Sequence, residues 1–177
     1  MSHDAYSDDY IADILSSART FAFVGASANA SRPSYFAMKY LLGKGYTIIP
    51  VNPGFSGKEI LGQKVYASLS EVPGPVDVVD IFRSSDEAPE IVREAIVLKD
   101  KLGLTTIWMQ LGVRNDAAAA DAAAAGLKVV MNRCPKIEYG RLSGEIGWAG
   151  VNSGTISSLR PKLAARGVQN HVIAGKR

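Results

Sequence analysis

Between Thr20 and Met131, short apolar runs alternate with segments of helical character, and this alternation narrows the fold more than any single motif. The runs are Thr20–Gly25, Tyr46–Val51, Gln63–Tyr66, Val76–Phe82, Thr105–Met109 and Leu127–Met131. Most are continuously apolar rather than alternating, as expected for strands covered on both faces. The first helix is expected at Asp8–Ala18, where Ile11, Ile14, Leu15 and Ala18 share a face and Ser7 can cap. A second starts at Pro33 or Ser34 and ends at Gly43, with Tyr35, Met38, Leu41 and Leu42 inward. A third covers Asp86–Leu102 with Ile91, Ala95, Leu98 and Leu102 on one side, and Asn115 or Asp116 caps a fourth ending at Gly126. Gly54–Gly62 reads as loop, a helical turn is expected near Leu69–Val72, and Pro73-Gly74-Pro75 is a hard break. Cys134–Tyr139 can form a terminal helical turn.

Right-handed crossovers turn this order into a doubly wound α/β fold with three αβα layers and a parallel sheet of five to six strands. The expected strand order is 3-2-1-4-5, with a sixth strand at the end. Ligands of such sheets bind at the carboxyl ends of the strands, where the winding reverses. The loops Gly25–Ser34, Asn52–Gly57, Phe82–Ser85 and Gln110–Arg114 are therefore expected to face one site. A domain at residues 1–140 is followed by a tail at 141–177 rich in Gly, Ser, Asn and basic residues, with Trp148 as its large anchor. That tail reads as an arm or as loosely ordered chain.

The segment FAFVGASANASRPS at residues 21–34 runs from a strand through small residues to a helix start. Exposed backbone N–H groups and the positive end of the helix dipole converge there, which suits the phosphates of a nucleotide-like ligand. Gly25 and Ala26 open the loop. Ser27, Ser31 and Ser34 either bond phosphate oxygens or cap the helix. Arg32, beside Pro33, offers a permanently charged fork of donors, against the alternative of a surface arginine packing its stem. The loop does not match the glycine fingerprint of dinucleotide folds, since Ser27 and Ala30 stand where its later glycines belong. Asn52 and Pro53 occupy the end of the second strand, where NAD proteins carry a ribose-binding acid. That argues against NAD and, less strongly, against NADP, for which the nearest basic residue is Lys58.

Arg83 follows its strand at the switch point and either meets a phosphate or pairs with Asp80 or Asp86. Gln110 and Gly112 lie at the end of the next strand. Asp77 and Asp80 sit within an apolar strand, where hydrogen bonding at strand ends is the expected role rather than catalysis. His3 and His171 are the histidines of the chain, and both are near its ends. Histidine acid–base chemistry, a histidine metal site and a phosphohistidine relay are thus not expected. The single cysteine, Cys134, excludes an internal disulfide and a multi-cysteine metal site. It reads as a structural residue, with mixed-disulfide formation as an alternative. No apolar run reaches membrane-span length, and the N-terminal residues lack a signal-like core. A cytoplasmic location is expected. The net charge of +3 suits an anionic small ligand without calling for nucleic acid.

Together, VGAS…SRPS at 24–34, YLLGKGYTIIPVNPG at 40–54, GKEILG at 57–62, VDVVDIFR at 76–83, IWMQLGV at 107–113 and MNRCPKIE at 131–138 resemble the stand-alone CoA-binding proteins. These are single-domain, Rossmann-like relatives of the CoA-binding domain of succinyl-CoA synthetase and of ADP-forming acyl-CoA synthetases. The resemblance spans about Ile14–Tyr139 and implies coenzyme A or an acyl-CoA as ligand. Its ADP portion would lie across the strand ends, with the pyrophosphate on Gly25–Ser34 and the adenosine bordered by Val51, Asn52 and Pro53. Lys58 is similar to a lysine that reaches a CoA phosphate in the synthetases, although the loop here differs in length. Phe82, Arg83, Gln110 and Gly112 complete the implied set. Synthetase catalysis needs a phosphorylated histidine and an ATP-grasp domain, neither of which this sequence shows. The expected function is CoA binding without catalysis. The alternatives are an NADP-dependent oxidoreductase, a CoA-binding ligase subunit acting with a partner chain, or a ligand-sensing regulator. A homodimer or another protein partner stays open.

Overall fold

A computed structural model describes residues 3–145. The tail beyond Glu145, Trp148 included, lies outside the described residues. The described residues form two compact units: Ala18–Cys134, and residues 3–17 together with 135–145.

The larger unit is built on five parallel strands. They are β1 (Thr20–Val24), β2 (Thr47–Val51), β5 (Val78–Ile81), β6 (Thr106–Met109) and β7 (Lys128–Val130), in the order β2-β1-β5-β6-β7. A small antiparallel hairpin, β3 (Glu59–Ile60) and β4 (Gln63–Lys64), stands apart from that sheet. The helices of this unit are α2 (Pro33–Gly43), α3 (Ala88–Leu102) and α4 (Asp116–Ala124). This is the Rossmann-like α/β arrangement, with its winding reversal between β1 and β5 as expected.

Both sheet faces are buried, which explains the continuous apolar runs. Ala22, Val51, Val79, Ile81, Ile107, Met109 and Val129 join a core with Ala88, Val92 and Ala95 of α3 and Ala118, Ala119 and Ala122 of α4. The alternate strand residues Phe21, Phe23, Ile48, Val78 and Trp108 are equally buried. Phe21 stands edge-on to Tyr46, with ring centroids 5.2 Å apart. On α2 the buried residues are Ser34, Ala37, Met38 and Leu41, so the inner stripe is rotated from the expected one; Tyr35 and Leu42 are only half-buried. The Asn115 side chain caps α4 by accepting from the Ala118 amide at 2.9 Å.

The third expected strand is the main departure. Gln63 and Lys64 pair with Ile60 and Glu59 across a turn at Leu61 and Gly62, both with positive φ. That hairpin also claims Val65, whose amide donates to Lys58 O at 2.9 Å. The local turn satisfies the backbone groups that an outer sheet strand would otherwise use. Only Tyr66 keeps the expected alignment, through a single parallel bridge to Val51. Part of the segment read as loop, Glu59–Ile60, is therefore strand.

In the smaller unit, α1 (Asp8–Ser17) contacts α5 (Pro135–Leu142). Arg141 joins them, with Nη1 2.7 Å from Asp8 Oδ1 and Nη2 2.8 Å from Glu138 Oε2. Ser7 caps α1 as expected, its Oγ accepting from the Tyr10 amide at 3.3 Å. The terminal turn expected at Cys134–Tyr139 extends as a helix to Leu142.

The buried alanine face of α4 leaves no room for larger side chains. Ala122→Leu should destabilise the fold by about 1–3 kcal/mol through overpacking. Ala123→Leu, at an exposed position of the same helix, should stay within about 0.5 kcal/mol of wild type. Urea unfolding of both variants checks the contrast.

Candidate functional site

At the carboxyl ends of β1 and β2, a pocket of about 210 Å³ opens between the loops after the strands and the first turns of α3. Of the expected residues, Gly25, Val51, Asn52, Pro53 and Arg83 line it. Its size is below the ~300–1,000 Å³ of pockets that take a whole drug-sized ligand. It can hold one part of a larger molecule.

Gly25 is where the strand breaks into the loop. Its φ of +91° is a conformation that glycine adopts without steric penalty. A Cβ there would also lie 2.8 Å from Arg83 Cδ and 3.3 Å from the carbonyl carbon of Phe82. The absent side chain thus lets the Arg83 stem lie against the turn. The Gly25 amide donates to Val51 O at 2.9 Å, tying the turn to the end of β2.

Asn52 clips the two loops together. Its Nδ2 donates to Ala26 O at 2.7 Å, and its Oδ1 accepts from the Gly54 amide at 2.9 Å. Its backbone amide donates to Tyr66 O at 2.8 Å. Within the Gly25–Ser34 loop, Ser34 Oγ accepts from the Ser27 amide at 3.1 Å and Ser27 Oγ accepts from the Asn29 amide at 3.2 Å. Ser31 donates through its Oγ to Asn29 Oδ1 at 2.7 Å. The serines shape the loop from within rather than capping α2. Arg32 is the residue preceding α2, exposed and without a capping bond from its side chain, and Pro33 opens the helix.

Arg83 pairs neither with Asp80 nor with Asp86, the partners weighed from sequence. Its Nε donates to Glu87 Oε1 at 3.0 Å, and its Nη2 contacts the same oxygen. The other oxygen of Glu87 accepts from the Ser84 amide at 3.2 Å and from Ser84 Oγ at 2.9 Å. These bonds, the Arg83 one foremost, lower the Glu87 carboxyl to about 2. Phe82 packs against Phe23, with ring centroids 4.8 Å apart and the planes tilted by 43°.

The remaining expected residues lie outside the pocket lining. Lys58 is exposed, its Nζ 5.6 Å from the centre of the Phe55 ring. Gly112 adopts a φ of +84°, and its amide donates to Asn132 Oδ1 at 2.8 Å. Gln110, 5% exposed, donates from Nε2 to both Asp80 oxygens, at 3.1 and 2.8 Å. Asp77 accepts from the Arg19 and Thr20 amides at 2.8 and 2.9 Å, a strand-end role as expected. Cys134 is half-buried.

Sequence reading missed the acidic wall. Glu87, just before α3, and Glu90 and Glu94 on it, with Ile91 between those two, line the pocket. Their spacing of i, i+3, i+4 and i+7 marks one helix face. That signal was present in the sequence, but attention to apolar positions passed over it. Arg83 is the one basic side chain among these lining residues, so the pocket interior favours hydrogen-bond donors over phosphate.

Similarity to known proteins follows the same region. The family described as "CoA binding domain" matches residues 19–140. The "Uncharacterized protein YneT" of Bacillus subtilis (strain 168) is 34% identical over 129 residues, covering 73% of this chain and 91% of that protein. The alpha subunit of an ADP-forming acetate–CoA ligase from Pyrococcus furiosus is 35% identical over 86 residues, which span 46% of this chain and 19% of that subunit. Among solved structures, a "hypothetical protein from Pyrococcus horikoshii OT3" superposes with a TM-score of 0.72 at 38% identity, covering 80% of this chain and 96% of the other.

Asp80, fully buried on β5, supplies a pH test of the sheet beneath the strand ends. Burial pushes its carboxyl well above the ordinary range, partly opposed by the Gln110 hydrogen bond. A raised folded-state pKa contributes stability that is fully present below the unfolded value and is lost as pH rises through the folded one. Wild type should therefore lose stability relative to Asp80→Asn as pH climbs from about 4. The gap should become constant once the buried carboxyl has ionised. Urea midpoints of the two proteins across that range give the measurement.

Proposed function

The chain belongs to the CoA-binding domain family, and on that premise we propose that it binds coenzyme A or an acyl-CoA at the carboxyl ends of β1 and β2 without catalysing a reaction itself. The observation that carries this reading is the convergence of Gly25, Val51–Pro53 and Arg83 on one pocket at the winding reversal. The pyrophosphate lies against the Gly25–Ser34 loop, whose backbone N–H groups and the start of α2 favour negative charge. The adenosine is bordered by Val51, Asn52 and Pro53, and the acidic wall of α3 suits an amino-bearing heterocycle. Arg32 and Lys58, both exposed, are available to phosphate groups at the mouth.

A ligase-like role with a partner chain is the second reading. It rests on the similarity to the ADP-forming acetate–CoA ligase alpha subunit. In that case this chain supplies the CoA site and the partner supplies the phosphoryl chemistry. The protein acts in the cytoplasm in either reading; no helix among the described residues is long and apolar enough to cross a membrane.

Titration calorimetry with CoA, and with NADP as competitor, tests the reading. CoA binding with no NADP response supports it, and NADP binding with silent CoA overturns it in favour of an oxidoreductase. Arg32→Ala should weaken CoA binding by about 1.5–3 kcal/mol, the loss of one charge-assisted contact, while leaving the circular dichroism spectrum unchanged. Unaltered affinity removes Arg32 from the site. Dephospho-CoA should bind more weakly than CoA if Lys58 meets the 3′-phosphate, and Lys58→Gln should then abolish the difference.

A further inference from the structure

The Arg83–Glu87 pair stands where a diphosphate would approach the Gly25 turn. We propose that Glu87 is a built-in competitor for Arg83: its carboxylate occupies the guanidinium donors, so that a ligand's diphosphate gains Arg83 only by displacing it. The placement of the diphosphate rests on the CoA reading above; the competition itself rests on the geometry of the pair.

Three features support it. The Arg83 stem is laid across Gly25 by the space that glycine leaves, which anchors the side chain beside the turn. Both Arg83 contacts, from Nε and Nη2, fall on a single Glu87 oxygen, so the pair uses up donors that a phosphate would want together. The opposite oxygen is held by the Ser84 amide and hydroxyl, which keeps the carboxylate next to Arg83 and ionised through the neutral range. A tethered competitor acts at high effective concentration without a partner molecule.

The pair is also displaceable. Its side chains are 50% and 44% exposed, so water screens their attraction. A group with one negative charge gains little by replacing a tethered carboxylate of the same charge. A diphosphate brings more charge and more acceptor oxygens. Arg83 is then engaged by diphosphate-bearing ligands and stays with Glu87 when the ligand offers only a singly charged group such as a carboxylate or a phosphate diester. Glu87 becomes a specificity-determining residue for the ligand's phosphate chain.

The experiment is titration calorimetry on the full chain as wild type, Glu87→Gln, Arg83→Gln and the double variant, with CoA and with inorganic pyrophosphate as probes. Glutamine keeps an oxygen for Ser84 but gives up the charge that holds Arg83. Glu87→Gln should tighten pyrophosphate and CoA by about two- to fivefold, the range of an exposed ion pair. The gain should vanish in the Arg83→Gln background. Equal or weaker binding by the folded Gln variant, or the same gain without Arg83, overturns the proposal. Where thermal melting shows Glu87→Gln to be unfolded, Glu87→Ala also releases Arg83 and must show the same gain. CoA binding with no Glu87 effect defeats the competitor and leaves the CoA reading in place. A Glu87 effect on pyrophosphate with silent CoA does the reverse, and silence toward both probes defeats both.

Discussion

The ligand end of this fold depends on a side chain that is not there. Gly25 turns the chain out of β1 with a left-handed backbone, and the volume it leaves vacant is taken by the Arg83 stem. Three consequences follow from that one contact. The loop after β1 stays close to the end of β5, Arg83 lines the pocket, and Glu87, just before α3, becomes its partner. Asn52 then fastens the loop from the other side, through Ala26. Any residue with a Cβ at position 25 would disturb all of these together.

The fold was legible because its signals are redundant. Continuous apolar runs, helix punctuation by Pro33, Gly43 and Gly126, and capping by Ser7 and Asn115 all point the same way. The misreadings share a cause. Whether Gln63–Tyr66 joins the main sheet is a competition between a local hairpin and a distant edge, and apolar patterning is silent on which wins. The hairpin needs Leu61 at a positive φ, an uncommon state for a residue of this kind, so local sequence gave no warning. The rotation of the α2 stripe has a similar origin. Ser34 is buried because the Ser27 amide uses its hydroxyl, a tertiary bond that hydrophobic spacing does not register.

The candidate site was legible at the level of which strand ends meet. It was not legible at the level of which side chain holds which. Arg83 was weighed against the two aspartates nearest in sequence, yet the turn closed by the Glu87 and Ala88 amides on Ser84 O brings the Glu87 carboxylate back beside it. Asp80 was expected to hydrogen-bond rather than to catalyse, but its full burial beside Gln110 could not be read from a strand motif. A carboxyl enclosed by Phe23 and Trp108 on the neighbouring strands, at matching register, becomes visible only when the strands are side by side. Gln110 likewise serves Asp80, where sequence reading had turned it toward the ligand.

Asn52 carries one last implication, for how such a protein could change its cofactor. An aspartate at this position is what an NAD-binding relative would need for the ribose. Aspartate could still accept the Gly54 amide, but it has no donor for Ala26 O, and it would set two acceptors face to face at the distance of a hydrogen bond. The acid that would recruit a nicotinamide dinucleotide is the acid that would unfasten the Gly25–Ser34 loop. Moving between these ligand classes therefore requires at least two coordinated changes, and the intermediate with only one of them would have a poorer site for either ligand.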